Sequence, residues 1–161
     1  MIDDVRGIIE QGIHSLSDAL PGIRKLASHK DWKKREDAAT ALVEISKKKE
    51  DDIIREMIIW AGNKEPNIRR AASEGLRGVA RRNPEKILPV FEKLKTDDSL
   101  YVKKSVAALL RAISKKNPEF LLDLCRKWAR LKNKKTNWII KQGIKKLSEE
   151  QQEELNSLLG E

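Results

Sequence analysis

Apolar residues recur along this chain at a spacing of 34 positions. Two of these series are Leu20, Ile54, Leu88 and Leu122, and Leu26, Trp60, Leu94 and Trp128. Basic residues follow the same spacing at Arg35, Arg69 and Lys103, and Asn-Pro pairs occur at 83–84 and 117–118. Several independent series in one phase indicate a structural repeat whose neighbouring units bury their apolar faces jointly.

Each repeat is predicted to be a hairpin of two helices, with boundaries accurate to a few residues. The first helices are expected at 17–28, 51–62, 84–95 and 118–131, and the second helices at 32–47, 66–81, 100–115 and 136–147. The prolines of the Asn-Pro pairs suit the first helical position, where a missing N–H is tolerated. We expect Asn83 and Asn117 to cap the helices that follow them, and Asp98 or Ser99 to cap the helix near Leu100.

The pattern therefore predicts an all-α fold, a right-handed α-solenoid of about four HEAT-like helical hairpins. One domain is expected over residues 1–161, with an atypical N-terminal helix at 1–16 and the repeats at 17–147. Residues 148–161 are expected to form an acidic capping helix or tail. The composition agrees, because aromatic residues make up only 4% of the chain and charged residues 37%.

The net charge of +9 favours an acidic partner, such as nucleic acid or an acidic protein. A single cysteine, Cys125, excludes an intrachain disulfide, and its phase predicts a buried small apolar residue. His14 and His29 lie apart with no metal-ligand spacing, so we expect no metal and no cofactor. No run of about 18 apolar residues and no signal peptide are evident. A cytoplasmic monomer without membrane contact is the expectation.

Basic residues concentrate on one side of the second helices. At 100° per residue, the helix beginning at Pro66 places Ile68, Ala72 and Leu76 toward the core and its arginines on the opposite side. Second helices usually line the concave surface of such solenoids, where like charges on adjacent helices form rows that suit a phosphate backbone. The predicted nucleic-acid-binding residues are Arg70, Arg77, Arg81, Lys104, Arg111, Lys115, Lys141 and Lys145.

Three other residues of the second helices are candidates for a functional role. Glu74 lies among the arginines of its helix, where it can serve chemistry or form salt bridges to Arg70 and Arg77. Trp32 and Trp138 precede or begin second helices, where they can stack on a base at the rim or pack at a hinge. Trp60 and Trp128, in contrast, are in phase with leucines and are expected in the core.

The segments NKEPNIRRAASEGLR at 63–77 and SLYVKKSVAALLRAISKKNPEFLLDLCRKW at 99–128 resemble the HEAT-like DNA alkylation repair proteins. TNWIIKQGIKKL at 136–147 is similar to the closing repeat of that family. The resemblance covers about residues 50–147. It implies a basic concave surface around duplex DNA, no metal, and excision of cationic alkylated bases helped by a carboxylate and aromatic side chains. Glu74, within ASEGLR, matches the acidic position of the family.

The second acidic motif of the glycosylase branch is absent. Ala108, Arg111 and Ala112 stand where that branch has Asn, Asn and Asp, and the Trp pairs of the related branch are missing as well. We therefore expect a DNA-binding relative with weak or absent base excision. Two alternatives stay open: an active alkylpurine DNA glycosylase that uses Glu74, and a scaffold that binds an acidic protein on its concave face.

Overall fold

The computed structural model describes residues 2–160, with side chains from Val5 onward. Over this range the chain forms eleven α-helices, one short 3-10 helix and no strand. The α-helices are α1 (Ile2–His14), α2 (Leu16–Ala27), α3 (Trp32–Ser46), α4 (Glu50–Trp60), α5 (Pro66–Glu74), α6 (Arg77–Arg82), α7 (Leu88–Leu94), α8 (Leu100–Ser114), α9 (Pro118–Ala129), α10 (Lys134–Gly143) and α11 (Glu149–Leu158). The predicted all-helical repeat is confirmed.

Two predicted helices are not continuous. The helix expected at 66–81 breaks at Gly75 and Leu76 into α5 and α6, because two glycines weaken it and the N–H of Leu76 bonds to Ser73 instead of continuing the α pattern. The helix expected at 84–95 begins with a 3-10 helix, Pro84–Ile87, before α7. Pro89 lacks the N–H that a continuous α-helix would need there, which accounts for the break.

The predicted asparagine caps are wrong. Neither Asn83 nor Asn117 makes a side-chain cap, although each precedes a proline at the start of a helix as expected. Asn83 instead donates from its side-chain amide to Glu50 at 2.9 Å. Ser99 is the cap of α8, since its hydroxyl accepts from the N–H of Val102.

The second helices form a tightly packed layer. Helix α3 packs on α5 and α6, both pack on α8, and α8 packs on α10, whereas the first helices α4, α7 and α9 touch one another little. The layer whose helices lie closer together is the inner side of a curved stack. Between the two layers lies the apolar core, which includes Trp60, Cys125 and Trp128 as expected.

Glycines allow the close approach of neighbouring second helices. A Cβ added at Gly75 would lie 2.9 Å from the Cβ of Leu42 on α3. A Cβ added at Gly143 would lie 2.7 Å from the Cβ of Leu110 on α8. The leucines belong to one 34-residue series, so the same contact recurs along the stack.

The repeated arginines hold the turns between the two helices of a hairpin. Arg35 donates to the carbonyl oxygens of His29 and Lys30, at 2.7 and 2.9 Å, and Arg69 donates to those of Asn63 and Lys64, both at 3.0 Å. These bonds satisfy backbone carbonyl groups of the turns, which lie beyond the C-terminal ends of α2 and α4. The spacing of 34 between the arginines therefore reflects a structural role.

The acidic segment at the C-terminus folds as a capping helix. Ser148 and Gln151 form a reciprocal capping box at the start of α11. Leu155 and Leu159 are buried, and α11 packs on α9. Of the two forms expected for this segment, the structure shows the helix.

Candidate nucleic-acid interface

Charge is divided unequally between the two layers. The segments that contain the second helices and their ends, 32–49, 66–82, 100–116 and 134–147, hold 21 of the 34 basic residues of the chain. They hold only four of its 25 acidic residues. The second-helix layer therefore carries most of the positive charge of the chain. We call the exposed side of these helices the inner face.

Four of the predicted binding residues are exposed on the inner face. Arg81, Lys104, Lys115 and Lys145 take part in no ion pair with the described residues of the chain. Their charges are therefore available to a ligand. Lys141 is half-buried and already engaged within the protein.

The other predicted cations are engaged by the protein itself. Nη1 of Arg77 donates to Glu36 at 3.1 Å and to Glu74 at 3.2 Å. Nη1 of Arg111 donates to the carbonyl oxygen of Gln142 on the next helix, at 2.9 Å. These contacts fix both guanidinium groups between neighbouring helices.

Glu74 lies at the centre of a small charged cluster. Its carboxylate contacts Arg77 and lies 3.8 Å from Arg70, and its side chain is only 13% exposed. The salt bridges to Arg70 and Arg77 that the sequence offered as one interpretation are present. The carboxylate is consequently neutralised by two guanidinium groups and partly shielded from solvent.

Tyr101 is a site residue that the sequence interpretation missed. The guanidinium of Arg70 lies 4.3 Å from the centre of its ring, and Nε of Arg35 donates to its hydroxyl at 3.1 Å. Tyr101 thus links α3, α5 and α8 on the inner face. The available signal was its spacing of 37 from Trp138, because the predicted binding residues Lys104 and Lys141 are also 37 positions apart.

The two candidate stacking residues differ in exposure. Trp32, the first residue of α3, is 63% exposed. Trp138 packs against the apolar core, and Nζ of Lys103 lies 5.6 Å from its ring centre. Trp32 therefore presents the larger free ring surface.

The described part of the chain contains no group of three or more His, Cys, Asp or Glu residues arranged to hold a metal ion. Among the same residues, no helix is long and apolar enough to cross a bilayer.

Comparisons with known proteins agree with this architecture. A family model described as DNA alkylation repair enzyme matches residues 7–147. The uncharacterized protein YhaZ of Bacillus subtilis (strain 168) is 31% identical over 120 residues, which are 69% of this chain and 33% of that protein. This chain thus spans about a third of the length of that curated relative.

Two solved structures share the fold. One is the Pseudomonas fluorescens alkylpurine DNA glycosylase AlkC bound to DNA containing an abasic site analog, with a TM-score of 0.82 and 24% identity over 96% of this chain and 44% of that chain. The other is AlkD2 from Streptococcus mutans, with a TM-score of 0.70 and 31% identity over 80% of this chain and 65% of that chain. Because the family model covers most of the sequence and the helical repeat matches these structures, this chain belongs to the DNA alkylation repair enzyme family.

Proposed function

We propose that this protein binds duplex DNA on its inner face and has weak or no base-excision activity. The observation that carries the proposal is the concentration of 21 basic and only four acidic residues in the second-helix segments. Like charges on adjacent helices repel one another, so this arrangement favours an anionic ligand that runs across them.

The exposed cations set the expected salt dependence. Four phosphate contacts, made by Arg81, Lys104, Lys115 and Lys145, correspond to a slope of about −3.6 in a plot of log K against log salt concentration. Affinity should then fall about 150-fold between 50 and 200 mM salt.

The surroundings of Glu74 support weak excision. A carboxylate stabilises a cationic base or a developing sugar cation through its negative charge, and cations beside it weaken that effect. Arg70 and Arg77 both compensate it here. In addition, Ala108 and Ala112 offer no carboxylate or amide where the glycosylase branch has them.

Binding can be tested by fluorescence anisotropy with a labelled duplex over a range of salt concentrations. Replacing the four exposed cations by glutamine should abolish most of the slope. A control variant, Lys25→Gln, Lys64→Gln and Lys127→Gln, removes exposed lysines outside the second-helix segments and should bind as the unaltered protein does. Equal affinity at 50 and 300 mM salt would exclude duplex binding by this face and favour the acidic protein as partner.

Excision requires a separate assay. We expect no release of 3-methyladenine or 7-methylguanine from alkylated duplex DNA above the spontaneous rate. Release that Glu74→Gln abolishes would show instead that the protein is an active glycosylase and that the ion pairs of Glu74 do not prevent catalysis.

A further inference from the structure

Exposed large apolar side chains gather on one edge of the solenoid. That edge, which we call the turn edge, is formed where the first helix of each hairpin ends and the second begins. It comprises the turns 28–31, 61–65, 95–99 and 130–133 with the helix ends beside them. The exposed large apolar side chains of the described residues all lie there: Trp32, Ile59, Leu100, Leu131 and Leu158. Single exposed apolar residues are ordinary, but their confinement to one edge indicates an interaction surface.

The C-terminal part of the turn edge contains a pocket between α9 and α11. Nε of Arg126 contacts Glu154 at 2.6 Å and Lys132 lies beside Gly160, so the two helices run parallel and end at the same edge. The pocket has a volume of about 430 Å³ and is lined by Arg126, Ala129, Arg130, Lys132, Glu154 and Leu158. Leu131 is exposed in the same turn. This volume is in the range of ligand pockets, and apolar anchor residues of protein partners fill such pockets.

The turn edge carries an excess of free positive charge. Of the four acidic residues in its turns, Asp97 is paired with Arg69 and Asp98 with Lys135. The basic residues of the same turns are Lys30, Lys64, Lys95, Arg130 and Lys132. Only Lys95 among them forms an ion pair with a described residue. The fourth turn has two cations and no acid, so the positive charge is greatest beside the pocket.

Lys132 occupies a backbone conformation that glycine adopts more readily. Its φ of 56° is in the left-handed region, where side chains are disfavoured. Its Nζ lies 3.9 Å from the position that a Cβ on Gly160 would take, at the C-terminal end of α11. That helix end offers partial negative charge, but the ammonium group stays exposed and forms no ion pair with the described residues. It is therefore available to an acidic ligand at the rim of the pocket.

We propose that the turn edge docks an acidic segment of a partner protein, with an apolar side chain of that segment in the pocket between α9 and α11. Apolar burial would supply the affinity, and Arg130 and Lys132 would select acidic neighbours of the anchor. The pocket adjoins α9, a helix of the outer layer, so a duplex on the inner face would leave it accessible. The proposal is therefore independent of DNA binding.

A library of random peptides displayed on phage tests what the edge binds. The immobilised full chain should enrich peptides in which Asp or Glu flanks Trp, Phe or Leu. Enriched peptides are then synthesised with a fluorescent label, and their affinities are measured by anisotropy. No enrichment over an unrelated basic protein, or enrichment of peptides without acidic residues, would overturn the proposal.

Two double variants test the site itself. They are Leu131→Ser with Leu158→Ser, and Arg130→Gln with Lys132→Gln. These side chains are exposed, so each variant should keep the Tm of the unaltered protein. Each should weaken peptide binding about 10-fold or more, because both the apolar anchor site and its charged rim are needed. Unchanged affinity in either variant would contradict the assignment of this site.

A matched control is Lys48→Gln with Lys116→Gln, which removes two exposed lysines from the opposite edge and should leave peptide affinity unchanged. The variant that lacks the four exposed cations of the inner face should also bind the peptides normally. Loss of binding there would show that acidic peptides occupy the inner face, and the proposal would be wrong.

Two further measurements exclude other occupants of the edge. The pocket variants should retain the duplex affinity of the unaltered protein, since an equal loss for DNA and peptide would assign the edge to the nucleic-acid interface. Sedimentation should show no dimer that depends on Leu131 and Leu158. Such a dimer would identify a second copy of this chain as the occupant, because its own α11 is acidic and ends at Leu158.

Discussion

Gly143 of α10 faces Leu110 of α8 at a close contact between neighbouring second helices. A methyl group added at Gly143 would lie 2.5 Å from Cδ1 of Leu110 and 2.7 Å from its Cβ. Rotation of the leucine can move Cδ1 away, but Cβ is held by the backbone. The two helices must therefore separate, and we expect Gly143→Ala to destabilise the protein.

The magnitude follows from two opposing effects. Overpacking of a well-packed interface costs about 1–3 kcal/mol. Alanine favours a helix over glycine by up to about 1 kcal/mol, and less here because Gly143 is the last residue of α10. A net loss of roughly 1–2 kcal/mol corresponds to a decrease in Tm of about 2–8 °C for a domain of this size.

Thermal unfolding followed by circular dichroism measures this change. Gly22→Ala is the matched control, because a Cβ at Gly22 on α2 would meet no atom within 4 Å. That control should raise Tm by a few degrees through helix propensity alone. If Gly143→Ala lowers Tm while Gly22→Ala raises it, the effect at Gly143 is due to packing.

A double-mutant cycle gives a further check. Leu110→Ala removes the contacts to Cδ1 and Cγ, so the combined variant should be less destabilised than the sum of the single variants. A Tm for Gly143→Ala at or above that of the unaltered protein would refute the reasoning, since the spacing of α8 and α10 would then not depend on this glycine.

Three more predictions concern other parts of the fold. Asp97→Ala should lower the free energy of unfolding by about 3–5 kcal/mol in urea titrations, because it removes the bidentate partner of the Arg69 guanidinium. The pair is largely buried, since the side chain of Asp97 is 5% exposed and that of Arg69 is 18% exposed. A loss below about 1 kcal/mol would contradict this. Burial raises the pKa of the Cys125 thiol to about 12, so a thiol reagent should label it in urea but not in the native protein, and rapid native labelling would show that the site opens. Burial opposes ionisation of Glu50, but hydrogen bonds from Lys86 and two other side chains outweigh it and lower the pKa of the carboxyl below its ordinary 4.5. The stability that this ion pair contributes is present above pH 4.5 and is lost as pH falls through the lowered pKa of Glu50. Glu50→Gln should therefore flatten the dependence of Tm on pH below about 5. An unchanged pH profile would exclude this contribution.

The amino-acid pattern was sufficient to place the repeat and its core. The 34-residue series located the first three hairpins and the first helix of the fourth, because each helix has one apolar stripe that must be buried against its neighbours. It also assigned Trp60 and Cys125 to the interior. These features depend on periodicity within single helices, which can be read along the chain.

Contacts between repeats required the folded chain, because they depend on distances between residues about 34 or more positions apart. The rotation of each helix decided that Glu36 reaches Arg77 and that Arg35 reaches Tyr101, and no local pattern specifies such a rotation. Asn83 shows the same principle, since its position favoured a cap but the nearby carboxylate of Glu50 became its partner. Charge composition therefore indicated a basic inner face, whereas the packing of neighbouring helices set which of its cations are free to bind.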